Sequence, residues 1–234
     1  MDVFEAVNSR IACRRFLDKP VDPNIVRKLI EGAARTPSSS NLQPWNVYAV
    51  SGAPLKELKR QAVEAIEQRD WRTLETEYPD MPENLWEPYL NRRFVLGTQL
   101  YGSLGINRDD KAGRLDLAKQ NFQFFNAPVG LFITIDRRLG PGQWADLGGY
   151  VSTLALLARG YGLDTCPQVM WIRVHKIVDA ILKFPPEQML YCGMGMGYGD
   201  RSHPLNSFRS QRAELHEFCK ILGFDTPATR TLEQ

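Results

Sequence analysis

Residues 143 to 161, QWADLGGYVSTLALLARGY, restrict the fold of this chain more than any other segment. Leu147, Tyr150, Val151, Leu154 and Leu157 recur at helical spacing and make one broad apolar face. Gly148, Ser152 and Ala155 make a second face, of small residues. A helix that can be buried on two sides needs cover on both. One side suits packing on the chain's own sheet. The other meets either more of the same core or a partner subunit, and the residues leave both open.

Shorter elements surround this helix. Asp2 to Ser9 is predicted as a small amphipathic helix with Val3, Phe4 and Val7 on one stripe. Asp22 to Arg35 forms a second, capped by Asp22, entered through Pro23 and stopped by Pro37. Trp45 to Val50 alternates like a strand, and Pro54 opens a helix to about Arg69. Arg93 to Leu104, Lys111 to Phe125 and His175 to Leu182 are predicted helical. Val129 to Asp136 is read as a central strand, with further strands at Thr165 to Met170 and Met189 to Met194. Helices with three or four strands between them give an α+β class in one domain, residues 1–234. Asp70 to Leu90 breaks the pattern, carrying Trp71, Tyr78, Trp86 and Tyr89 among prolines and charges, too aromatic for a linker. The last third ends in a polar tail bearing Arg209 and Arg212.

The chain is 43% apolar and 24% charged, which excludes a disordered or fibrous protein. Its net charge of +2 offers no general footprint for nucleic acid. The longest apolar run, Ala127 to Ile135, is far below the roughly 20 residues of a membrane span. The opening MDVFEAV lacks the basic start of a signal peptide. Cys13, Cys166, Cys192 and Cys219 are scattered, and His175, His203 and His216 stand alone, so no metal spacing emerges. The expectation is a cytoplasmic protein without a metal.

Gly193-Met-Gly-Met-Gly-Tyr-Gly199 lacks the GxGxxG spacing of a dinucleotide loop and is read as a strand leaving the core through a flexible turn. No hydrolase triad or nucleophile elbow occurs, so an enzyme with this sequence would borrow its chemistry from a cofactor. Two segments suit a planar, anionic ligand. In Ser9-Arg10-Ile-Ala-Cys-Arg14-Arg15-Phe16, Arg10 and Arg14 are four apart and can aim two guanidiniums at one point; a solvated basic patch would read the same. Pro37-Ser38-Ser39-Ser40-Asn41-Leu42-Gln43-Pro44-Trp45 sets small hydrogen-bonding groups between two prolines, which an elaborate turn would also explain.

Together, in this order, the two segments resemble the signature of the nitroreductase family of flavin enzymes, SRRSxRxF followed by PSSxNxQPW. Phe125-Asn126-Ala127-Pro128, Gly162 to Pro167 and the late glycine turn fit as well. The resemblance covers nearly the whole chain, least from Asp70 to Asp116. It implies a central mixed or antiparallel sheet flanked by helices in an interlocked homodimer, with FMN at the interface, touched by both chains.

Carried over position by position, Arg10 and Arg14 contact the flavin and its phosphoribityl chain from one subunit. Pro37, Ser38, Ser39, Ser40, Asn41 and Gln43 belong to the loop that reaches the same flavin from the other. Gln120 and Gln123 fall near polar contacts to the ring edge. Pro167, Gln168, Val169 and Met170 match the segment lining a ring face, and Arg209 and Arg212 the tail that supplies phosphate cations. Ala12 stands where many members have serine, so contact there goes through backbone.

The implied activity is reduction of nitroaromatic compounds by NADH or NADPH, with hydride passing through flavin N5 and no catalytic side chain. A cationic side chain at the ring edge would stabilise the anionic reduced flavin. Residues 70–116 are the variable insertion, with Trp71, Tyr78, Trp86 and Tyr89 as a lid stacking on a small aromatic acceptor; an auxiliary core under a loop is the alternative for these aromatics. The same fold also allows another acceptor, such as an enone, a quinone or a halogenated aromatic, or a non-catalytic flavin-binding redox module.

Overall fold

Four strands carry the architecture: β1 (Asn46–Ser51), β2 (Val129–Asp136), β3 (Asp164–Gln168) and β4 (Gln188–Gly197). In this computed structural model, residues 1–224 are described. The sheet order is β1-β2-β4-β3, and every neighbouring pair is antiparallel. The helices are α1 (Val3–Ser9), α2 (Pro23–Ala33), α3 (Gly52–Gln68), α4 (Tyr89–Gly102), α5 (Lys111–Phe122), α6 (Pro141–Gly160), α7 (His175–Leu182) and α8 (Leu215–Phe218). Asp22 caps α2 as its sequence predicts, accepting from the Asn24 amide at 2.8 Å, and Asp110 caps α5 in the same way. Among the described residues, no helix is long and apolar enough to cross a membrane.

Alternation along β2 divides the core in two. Val129, Leu131, Ile133 and Ile135 face α2 and α6, with Met194 and Met196 of β4 beside them. Phe132 faces the other way, toward Phe122, Phe124, Trp171 and the inner faces of α3, α5 and α7. On α6, Leu147, Tyr150, Val151 and Leu154 are buried as expected, and Ala155 of the small-residue face is buried with them. Much of the second cover comes from the same chain, since α6 also packs on α1, α2 and β3.

The glycine run corrects the sequence reading. Gly193, Gly195 and Gly197 lie inside β4, and the run leaves no core at a turn there. Phe124 and Trp171 stack at 4.4 Å and lie against this glycine face. A Cβ at Gly193 would come within 2.6 Å of Trp171 Cδ1, and one at Gly197 within 2.6 Å of Pro128 Cδ. Those glycines are there for close approach of rings, and the intervening methionines fill the opposite face.

Other boundaries also move. The helix from Lys111 stops at Phe122, because Phe124, Phe125 and Asn126 are left-handed. The helix expected from Arg93 begins four residues earlier, at Tyr89. After Gln168 the chain turns into a 3-10 segment, so Val169 and Met170 are not strand. The tail is less polar than expected: Leu215, Phe218, Ile221 and Leu222 are exposed apolar residues, as are Val3, Phe4 and Val7 of α1.

Candidate functional site

The arginine segment runs along the free edge of β3. Cys13 N–H donates to the Thr165 carbonyl at 3.0 Å, and Ala12 forms a parallel bridge with Thr165. In a parallel bridge the bonds run through neighbouring residues, so the Ala12 amide is directed away from the sheet. The Ala12 carbonyl meets the Arg14 guanidinium at 3.5 Å. Further on, Phe16 bridges Gly199 and Leu17 N–H donates to Tyr198. The segment is therefore held by the end of the sheet, leaving its side chains and the outward Ala12 amide to face a ligand.

Arg209 and Arg212 lie within electrostatic reach of Arg10, although they are about 200 positions away in the chain. Burial, and then the neighbouring Arg212 and Arg209 guanidiniums, pull the pKa of Arg10 below its ordinary value. Arg14 and Arg10 both act on Cys166 of β3, against the burial that pushes its thiol up to about 11. Among the described residues, none of these four arginines forms a salt bridge. Converging guanidiniums without a carboxylate repel one another, and a dianionic phosphate removes that repulsion. The donor set fits FMN.

The nearby acid is taken by other partners. Asp164, 2% exposed, accepts from Arg159 at 2.8 Å and from Arg201 at 2.5 Å. Burial pushes its carboxyl up, while Arg201 and Arg159 pull it down. Arg159 Nε also donates to the Ser9 hydroxyl at 3.2 Å, so this pair anchors the start of the arginine segment. Neither Asp164 nor Arg159 was singled out by the sequence. Glycine at 199 makes room for Asp164, and that proximity exists only in the folded chain.

Pro167 and Val169 are exposed and Met170 half-buried. Gln168 points the other way: it is buried, and its Nε2 donates to the Asn121 carbonyl at 2.6 Å and side chain at 2.8 Å. Among the described residues its Oε1 has no partner, nor has the buried Thr165 hydroxyl. Gln120 in the last turn of α5 and Gln123 just after it are half-buried.

The serine loop is local in construction. Gln43 N–H donates to Ser38 Oγ at 2.9 Å, and Ser39 N–H to Asp146 of α6 at 3.0 Å. Ser40, Asn41 and Gln43 all have positive φ, which for residues other than glycine costs about 1 kcal/mol each. Ser39, Ser40, Asn41 and Gln43 are exposed. The loop thus presents its hydrogen-bonding side chains outward on a strained backbone. Ser9 meets α6 at Arg159 and Ser39 meets it at Asp146, thirteen residues and about 20 Å apart along the helix. Within one chain the loop and the arginines are at opposite ends of α6.

The four aromatics of the excursion divide. Trp71 is half-buried with the Arg173 guanidinium 5.5 Å from its ring centre, and Arg173 in turn pairs with Asp80 at 3.1 Å. Tyr78 donates to the Tyr191 carbonyl and packs edge-on to Trp144 at 4.7 Å. Both serve the chain's own core, the alternative open from sequence. Trp86 and Tyr89, 58% and 49% exposed, lie edge to face at 5.5 Å, and the Arg92 guanidinium lies over the Tyr89 ring at 5.9 Å.

A nitroreductase-family profile matches residues 7–198. The chain is 39% identical to the nitrobenzene nitroreductase of Ectopseudomonas oleovorans over 93% of its own length and 96% of that protein's. It is 37% identical to the 4-nitrobenzoate reductase of Pseudomonas putida, over 96% and 97% of the two chains. In structure it resembles NfnB of Sphigopyxis sp. strain HMH, an FMN and NADPH-dependent nitroreductase, with TM-score 0.91 and 38% identity over 96% of this chain and 100% of that one. The profile runs from within the first helix past the last strand, through the segment of Arg10 and Arg14 and through the serine loop, ending before Arg209 and Arg212, and the chain belongs to the nitroreductase family.

Proposed function

We infer that this chain is an FMN-dependent oxidoreductase that reduces nitroaromatic compounds with NAD(P)H, and that it works as a homodimer in the cytoplasm. The observation that carries the reading is an arginine segment fixed along the free edge of β3 through Cys13 and Ala12, with Arg209 and Arg212 within electrostatic reach of Arg10 and no salt bridge to them among the described residues. When bound, FMN supplies a two-electron carrier that accepts hydride from the nicotinamide and passes reducing equivalents to the nitro group.

The chain's own groups bind, orient and shield. Arg10, Arg14, Arg209 and Arg212 would hold the phosphoribityl chain and its phosphate, a role suited to guanidinium forks. The exposed Pro167 and Val169 offer an apolar rest for a ring face. The side chains of Ser39, Ser40 and Asn41 supply donors from the second chain, which the separation along α6 favours. Exposed Phe4 (81%) and Phe218 (70%), with the apolar residues around them, supply surface for a second copy to cover. Four free cysteines, three of them buried, suit a reducing compartment.

Purified protein is expected to be yellow, to bleach anaerobically with NADH or NADPH, and to regain colour when a nitroaromatic is added. Colourless protein that takes up no FMN would overturn the reading, and bleached protein reoxidised only by quinones or enones would move it to another acceptor. Trp86→Ala and Tyr89→Ala should change the kcat/KM ratio between nitroaromatic acceptors about 3- to 10-fold, the worth of one aromatic contact. Flavin content should stay constant, and flavin loss in proportion to activity would count against the lid.

A further inference from the structure

We propose that Asn206 is a positioning residue, which sets Arg14 and the tail arginines in register for the flavin phosphate; the proposal rests on the FMN reading. Asn206 lies outside every motif of the chain. It is 7% exposed and ends the 3-10 turn Pro204–Asn206, three residues before Arg209. Its Oδ1 accepts from the backbone N–H of Arg14 at 2.6 Å. Its Nδ2 donates to the Arg15 carbonyl at 2.9 Å and to the Asp200 carbonyl at 2.7 Å.

These three bonds identify the residue type. An amide N–H needs an acceptor and two carbonyls need donors, and a primary amide of this length supplies both from one side chain. Arg14 and the tail approach from chain segments about 190 residues apart, and one buried side chain joins them. The same carbonyl of Arg15 also accepts from Asp200 N–H at 3.0 Å and from the Cys13 thiol at 3.1 Å, so Arg15 is fixed at the point where Arg14 leaves the sheet. Arg209 and Arg212 inherit their position from this junction, since the tail beyond it has little regular structure before α8. Asn206 touches no ligand itself; it acts by placing the guanidiniums.

The test compares FMN with riboflavin, the same ring without the phosphate. A residue that positions phosphate cations affects only the first, and a residue that merely supports the fold affects both. Asn206→Leu and Asn206→Asp should each weaken FMN about 10- to 100-fold, as expected for losing one or two buried hydrogen bonds, while riboflavin affinity moves less than about threefold. Asn206→Asp keeps the shape and the acceptor for Arg14 but turns an oxygen toward two carbonyls, and it carries the test should the leucine variant fail to fold. Leu205→Ala, at the neighbouring buried position, is the stability control and should weaken the two flavins together. Wild-type protein that prefers FMN, with Asn206 variants that keep the full preference, overturns the positioning role and leaves the FMN reading standing. Wild-type protein that binds neither flavin overturns both. If neither Asn206 variant folds, the residue is structural and the proposal fails.

Discussion

Arg10→Glu is expected to weaken FMN roughly 100-fold while leaving the apoprotein at least as stable as the wild type. In the wild-type chain Arg10 faces Arg209 and Arg212 with no acid among them, and these guanidiniums depress its pKa after burial. A glutamate in its place would pair with both, so the empty protein gains attraction where it had repulsion. The phosphate then meets a neutralised site that holds one carboxylate, and it loses a charge-assisted contact as well. Fluorescence titration of the apoprotein measures the affinity. A thermal melt with added inorganic phosphate gives a second reading, because an anion that binds only the folded state raises the melting temperature. That rise should appear in the wild type and vanish in the variant. Unchanged FMN affinity would show that the three arginines serve something other than the cofactor.

Asp164→Ala should cost about 3–5 kcal/mol of stability, the usual penalty for removing one partner of a buried ion pair. Asp164 is 2% exposed and holds both Arg159 and Arg201. Arg159 is itself largely buried, so without the carboxylate its charge stays desolvated with only the Leu163 carbonyl and Ser9 as partners. For a domain of this size the melting temperature should fall by about 10 °C. Asp164→Asn, which keeps the shape and one acceptor, should cost less. Chemical denaturation of the apoproteins checks both. A loss below about 1 kcal/mol for the alanine variant would mean that Arg159 reaches water freely, in the manner of a surface pair.

Much of the fold was readable because its elements obey local rules. Asp22 and Pro23 begin α2 whatever surrounds them, and the alternation of β2 sorts its residues between two layers without knowledge of either layer. The glycine run shows where local rules stop. Gly193, Gly195 and Gly197 read as a flexible turn because glycine is the residue of turns; in the fold they are a strand surface, the first two against Phe124 and Trp171 and the third against Pro128 and Phe16. Nothing near residue 193 announces a tryptophan at 171 or a phenylalanine at 124, and the need for a missing side chain appears only when those rings arrive.

The candidate site divides in the same way. Arg10, Arg14 and the Ser38 to Asn41 loop were marked as candidates by the resemblance to the family signature; their spacing and hydrogen-bonding chemistry alone left a solvated patch and an elaborate turn open. Asn206 and Asp164 were not, because each acts on partners that the chain places far away in number. Gln168 was assigned to a ring face along with Pro167 and Val169, yet pleating turns it inward to Asn121 while its two neighbours face out. The tail was read as polar from its arginines, and the exposed apolar residues from Leu215 to Leu222 change that picture.

By itself the sequence determined the inventory: a two-faced helix, an apolar central strand, arginines at both ends of a nearly neutral chain, and a serine loop between prolines. Those depend on side-chain chemistry and on periods of a few residues, which survive without any knowledge of the fold. Only the tertiary structure decided that Arg10 meets Arg209 and Arg212, that Asp164 is engaged elsewhere and leaves them unneutralised, and that the serine loop sits at the far end of α6. Electrostatic attraction, repulsion and burial depend on distance in space, and distance in space is what a chain acquires by folding.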